Sequence, residues 1–120
     1  MRRLVLTAAL AALLIGCGGG PSTVQGSIAD LMRPATDGCG GTEQIALTTG
    51  SGTILADQQV TFTESEGWCV LPFSFSNVPS LSDYGIRVVG LATGTVWLTP
   101  DEAERFVNLW IGRGLTLSRS

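Results

Sequence analysis

The segment from Trp68 to Gly90, WCVLPFSFSNVPSLSDYGIRVVG, decides the fold. Phe73 and Phe75 alternate with Ser74 and Ser76; after a turn from Asn77 to Asp83 the alternation resumes as Tyr84, Ile86 and Val88 against Gly85, Arg87 and Val89. A period of two sends successive side chains to opposite faces of an extended chain, so the stretch spells two half-buried strands and their connection. Phe73, Phe75, Tyr84, Ile86 and Val88 are expected to face one interior, with Val78 closing an end of it. Pro79 and the serines after it keep the connection out of regular pairing.

Similar patterns flank this segment. Val24, Gly26 and Ile28 against Gln25, Ser27 and Ala29 predict a first strand over 23–32, ending near Arg33-Pro34. Ile45 and Leu47 predict a strand over 44–48, and Thr49-Gly50-Ser51-Gly52 a turn. The next strand candidate, 53–62, carries Ile54 and Ala56, then Val60 and Phe62, with a kink, bulge or short turn expected at Asp57-Gln58-Gln59. Thr63 to Gly67 reads as an exposed reversal, and 95–98 as a short strand with Val96 and Trp97 on opposite faces, one of them left uncovered.

One helix is expected. Thr99-Pro100-Asp101-Glu102 combines a hydroxyl cap, proline at the first helical position and a glutamate three residues after the cap. Ala103, Phe106, Val107 and Trp110 follow at helical spacing, which predicts one buried helix side before Gly112-Arg113-Gly114 ends it. Leu115 and Leu117 suggest a last edge strand, and 118–120 a fraying tail. The expectation is a mainly β fold: a small two-layer antiparallel β-sandwich, Greek-key in connection, with one short C-terminal helix. A small, partly open barrel is the alternative.

The chain divides into 1–16 as an export signal, 17–22 as a modified cysteine and tether, 23–117 as the sandwich and 118–120 as the tail. Arg2 and Arg3 precede an apolar run from Leu4 to Ile15, too short for the roughly 20 helical residues that span a bilayer. Removing the signal leaves five arginines against ten acidic residues, a formal charge of −5, with no Lys and no His. That balance opposes nucleic-acid binding, which needs a clustered basic face. Leu14-Ile15-Gly16-Cys17 resembles the bacterial lipoprotein box. The resemblance implies a diacylglyceryl thioether on Cys17 and a mature protein fastened to the membrane outside the cytoplasm, in the cell envelope, with several acyl chains for a stable anchor. Gly18-Gly19-Gly20-Pro21-Ser22 is a short tether that keeps the domain near the membrane.

Cys39 and Cys69 remain, and two thiols in an exported chain read as one disulfide. Two cysteines without histidine fall short of a zinc set, and there is no Cys-x-x-Cys redox pair. The loop from Pro34 to Thr42 offers one carboxylate, Asp37, where a calcium loop wants several. Glu64 and Glu66 read as solvated turn charges, and Asp101, Glu102 and Glu104 as carboxylates recruited to a helix start. No catalytic residue, metal ligand or cofactor is expected.

Val24-x-Gly26, then Trp68-Cys69-x-x-x-Phe73-x-Phe75-x-x-Val78-Pro79, then Tyr84-x-Ile86-x-Val88-x-Gly90 resemble the transthyretin-like or carboxypeptidase regulatory-like domains. The wider arrangement, with the lipoprotein box, Cys39, Cys69 before the Phe strand, and Leu98-Thr99 and Trp110, resembles small lipoproteins of actinobacteria. The turn Glu64-Ser65-Glu66-Gly67 lacks the Asp-Gly of the regulatory-like domains, and those domains do not require the helix. The resemblance implies a sandwich used as an accessory module and brings no catalytic residue. The expected function is a noncatalytic envelope or surface module that binds an envelope or extracellular protein or a small ligand, with Trp68 and Trp97 as candidates for the binding surface. An envelope hydrolase using Ser or Asp is the enzymatic rival; without His or Lys the usual bases that activate a hydroxyl are missing. A structural envelope component is the third reading.

Overall fold

The structure, a computed structural model, describes residues 22–119. Leu14, Ile15, Gly16 and Cys17 of the expected lipidation motif lie outside the described residues. The described residues form nine strands: β1 (Thr23–Pro34), β2 (Thr42–Thr48), β3 (Ile54–Thr61), β4 (Thr63–Ser65), β5 (Trp68–Ser76), β6 (Tyr84–Val89), β7 (Val96–Leu98), β8 (Val107–Gly112) and β9 (Thr116–Arg119). A one-turn helix, α1 (Pro100–Ala103), precedes β8. One sheet has the order β4-β5-β1-β8-β9 and the other β3-β2-β6-β7. The two pack as the expected sandwich around Val24, Ile28, Leu71, Phe73, Phe75, Leu109 and Ile111 from the first, and Ile45, Leu47, Tyr84, Ile86 and Val88 from the second.

β5 and β6, the strands of the opening segment, lie in opposite sheets, and their apolar residues meet in the interior as expected. Tyr84 organises the connection between them: its buried hydroxyl accepts from the Leu81 amide (2.9 Å) and donates to the Pro79 carbonyl (3.1 Å). The loop backbone thereby finds partners without a sheet.

β1 is the central strand of its sheet, antiparallel to β5 and parallel to β8. The β1–β8 contact requires glycine at position 26: a Cβ there would fall 2.0 Å from the Val107 carbonyl oxygen and 2.9 Å from Phe73 Cζ. At the far end of β1, the buried Asp30 accepts from the Met32 amide (3.0 Å), and the chain bulges between Asp30 and Pro34. Leu31 and Met32, which fall in the bulge between these paired residues, are exposed.

The helix is much shorter than its periodicity predicts. The capping box is complete, with Thr99 Oγ1 accepting from the Glu102 amide and Glu102 accepting from the Thr99 amide. Beyond Ala103 the chain becomes β8, which buries Val107, Leu109 and Ile111 at a period of two and leaves Phe106 57% exposed. The spacing Ala103, Phe106, Val107, Trp110 fits a helix; Val107, Leu109, Ile111 fits a strand equally well. Pairing of Val107–Ile111 along Gly26–Asp30 decides between them, because without β8 the central strand β1 would be left as an open edge.

β3 also departs from expectation. Asp57-Gln58-Gln59 continues the ladder opposite Ala46, Ile45 and Gln44, and the irregularity comes earlier, where Leu55 is the extra residue between the pairs Thr48–Ile54 and Leu47–Ala56. The bulge reverses the alternation, so Ile54 shares the outer face with Thr48 and is exposed. Gln58 then bonds the backbone of Ser74 twice, donating to its carbonyl (3.1 Å) and accepting from its amide (3.0 Å). Beyond the reach of β4, this side chain stands in for a neighbouring strand on the edge of β5. At the C-terminus, Leu115 is exposed at a positive φ and only Leu117 enters the core. β9 runs to Arg119, so Ser118 and Arg119 belong to the sheet and not to a fraying tail.

Candidate functional site

Cys39 and Cys69 are joined, with a Cα separation of 5.4 Å. The bond ties the loop between β1 and β2 to the start of β5, and the same loop is held by Arg33, which donates to the Gly40 carbonyl (2.7 Å) and stacks 4.5 Å over the Phe62 ring. This end of the sandwich carries an exposed apolar group: Leu31, Met32 and Trp68, the last 37% exposed beside Pro34.

Trp97 lies elsewhere. It sits on β7, the edge of the second sheet, opposite Gly85, which in turn pairs with Thr48 at the end of β2 remote from the disulfide loop. The two tryptophans proposed for a binding surface thus occupy different sheets and opposite ends, and the fold does not bring them together.

The surroundings of Trp97 form the more developed site. A Cβ at Gly85 would fall 2.3 Å from Thr48 Oγ1, 2.8 Å from Trp97 Cζ3 and 2.9 Å from Thr95 Cγ2, so all three side chains use the space that glycine leaves open. Any larger residue at this position would displace the Trp97 ring or the Thr48 hydroxyl. Thr48 is fully buried, and its hydroxyl has no hydrogen-bond partner among the described residues. Trp97 itself remains 44% exposed. Beside it opens a recess of about 430 Å³ lined by Trp97, Thr48, Arg87 and the 92–95 turn. Arg87, two residues after Gly85 and therefore on the same face of β6, is exposed and makes no ion pair among the described residues.

The strand that carries Trp97 is anchored from behind. Arg119 of β9 donates to the Trp97 carbonyl (2.9 Å) and forms an ion pair with Glu102. The Arg119 bond is the chief cause, and the Thr99 amide the second, that hold the Glu102 carboxyl at about 2 against an ordinary 4.5; the same pair raises the Arg119 pKa. A smaller recess of about 230 Å³ lies over this corner, between Leu98, Phe106 and Leu109, and its Arg119 and Glu102 charges are spent on each other.

Two of the acidic residues singled out have structural roles. Glu64 accepts from the Gly67 amide (3.1 Å) across a turn that Glu66 and Gly67 make at positive φ, and Glu102 serves the cap. Among the described residues no three His, Cys, Asp or Glu side chains gather as a metal site. Also among them, no helix is long and apolar enough to cross a membrane. The sequence reading singled out Trp97 but missed Thr48, Gly85 and Arg87, which join it only through strand register; the Gly in the alternation Tyr84-Gly85-Ile86 was the available signal. Compared with protein families, with curated proteins and with solved structures, the chain finds no match in any of the three, so its function is read from these residues and their geometry.

Proposed function

We propose that the protein is a noncatalytic binding module of a bacterial cell envelope, held to the membrane by lipid on Cys17, and that it binds through the outer face of the β3-β2-β6-β7 sheet at Trp97. The observation that carries the reading is the indole itself: its Cζ3 packs beside Gly85 while 44% of the residue stays open to solvent, next to a recess with an Arg87 guanidinium that makes no ion pair among the described residues. An aromatic ring fixed in this way supplies contact area without a loss of rotamer freedom on binding. Anchoring is supported by the Leu14-Ile15-Gly16-Cys17 motif and the short tether. The chain joins the sandwich at Ser22, whose carbonyl accepts from Val78, and Thr23 pairs with Ser76, so the tether attaches at the Asn77–Asp83 end. In this reading the disulfide end, with Met32 and Trp68, points away from the membrane.

The test is crosslinking in live cells that produce the full chain, followed by identification of the attached protein or glycan. Capture should be lost in Trp97→Ala and kept in Trp68→Ala, and intact mass should place a diacylglyceryl group on Cys17. Capture that survives Trp97→Ala refutes the surface. Turnover of an envelope substrate that vanishes in one serine or carboxylate variant, with the fold intact by circular dichroism, refutes the noncatalytic reading.

A further inference from the structure

Resting on that reading of the Trp97 face, we propose that the recess takes an acidic saccharide, with a sugar ring stacked on Trp97 and its carboxylate gripped by Arg87. Three features of the recess correspond to three features of such a ligand. The indole is an apolar plane on a residue left 44% exposed, and the C–H face of a pyranose is the flat apolar surface that a sugar presents. Arg87 is the one cation among the lining residues, and its planar fork matches a carboxylate in two parallel bonds. The remaining lining is rich in hydroxyl and backbone groups from Thr48, Thr93, Gly94 and Thr95, which suits a ligand whose perimeter is hydroxyl.

Thr48 adds an independent pointer. A buried hydroxyl without a partner is costly, and native structures leave few of them. It lines the recess, where a ligand hydroxyl admitted by a small shift of the indole would satisfy it. The volume of about 430 Å³ falls within the range of small-ligand pockets, roughly 300–1,000 Å³. The charge argues for a single carboxylate and against a polyphosphate: the recess offers one guanidinium, and the chain as a whole is at −3.

The experiment uses the full chain in detergent micelles, titrated with trisaccharides of galacturonic, glucuronic and mannuronic acid and with their methyl esters, which keep the ring and remove the charge. Binding is read by calorimetry and tryptophan fluorescence. At least one free acid should bind about tenfold or more tightly than its ester, the difference a charge-assisted bond supplies. Arg87→Gln, an exposed substitution that leaves the fold in place, should erase that preference while ester binding remains; Trp97→Ala should abolish both. Indole-3-acetate, which has a ring and a carboxylate but no sugar hydroxyls, should bind at least about tenfold more weakly than the best acid. Equal binding of acid and ester, an unchanged preference in Arg87→Gln, or indole-3-acetate binding as tightly as the best acid overturns the proposal. So does failure of every uronate to bind; if live-cell capture is still lost in Trp97→Ala, only the ligand class is wrong and the binding surface stands.

Discussion

Removing the disulfide between Cys39 and Cys69 should destabilise the fold substantially. Cys39 and Cys69 are separated by 30 positions, and closing a loop of that length in the unfolded chain corresponds to roughly 3 to 4 kcal/mol of stability. The native side adds to this, because Cys69 is fully buried and the loop carrying Cys39 is otherwise held by a few bonds, from Arg33 to the Gly40 carbonyl, from Ala35 to the Gly67 carbonyl and from Phe62 to the Gly41 carbonyl. Against a whole-domain stability of about 5–15 kcal/mol the loss is large. For a domain near 100 residues it should lower the thermal midpoint by about 15 °C. The assay is thermal unfolding followed by circular dichroism for the wild type, the wild type in reductant and the Cys39→Ala/Cys69→Ala variant. Reductant and double substitution should agree to within a few degrees and both should destabilise. A midpoint within about 3 °C of wild type in both would refute the reasoning, and so would quantitative alkylation of the two cysteines in freshly isolated protein.

Other positions give separate tests. Gly26→Ala should cost about 4 kcal/mol or more in urea unfolding, since its methyl would coincide with the Val107 carbonyl; a loss under about 1 kcal/mol would mean that β1 and β8 do not approach so closely. Gln58→Ala removes two bonds to the exposed edge of β5 and should cost about 1–2 kcal/mol, with faster amide exchange at Ser74 as the local sign; unchanged exchange there would refute the edge role. Glu102, held at about 2 against 4.5, stabilises the fold fully above pH 4.5 and loses that contribution as the pH falls toward 2. Glu102→Gln should therefore flatten the acid limb of the stability profile in that window, and a limb identical to wild type would show that the Arg119 pair does not form in solution.

The architecture was largely legible because alternation in β5 and β6 and the pairing of two cysteines are local or compositional signals. Phe73, Phe75, Tyr84, Ile86 and Val88 had to share an interior once the chain was extended, and an opposing sheet had to cover them. The capping box at Thr99 was also written locally, since its donor and acceptor are three residues apart. How far the helix ran was not. Two periods coexist in Ala103 to Ile111, and the parallel seat along β1, more than 75 residues earlier in the chain, selected the strand. The displaced bulge in β3 follows the same logic, because its position is set by which residue of β2 each residue meets.

The candidate site divides along the same line. Composition and the absence of His and Lys argued against hydroxyl-based hydrolysis, and the sequence by itself marked Trp97 as an aromatic on a short strand with one face left uncovered. That its ring packs beside Gly85, that buried Thr48 meets the same glycine and that Arg87 lines the same recess are consequences of register between β2, β6 and β7. Sequence determines which side chains alternate along one strand; only pairing determines which alternating rows become neighbours. A site assembled from three strands is therefore decided by tertiary structure, because the contacts that make it are perpendicular to the chain.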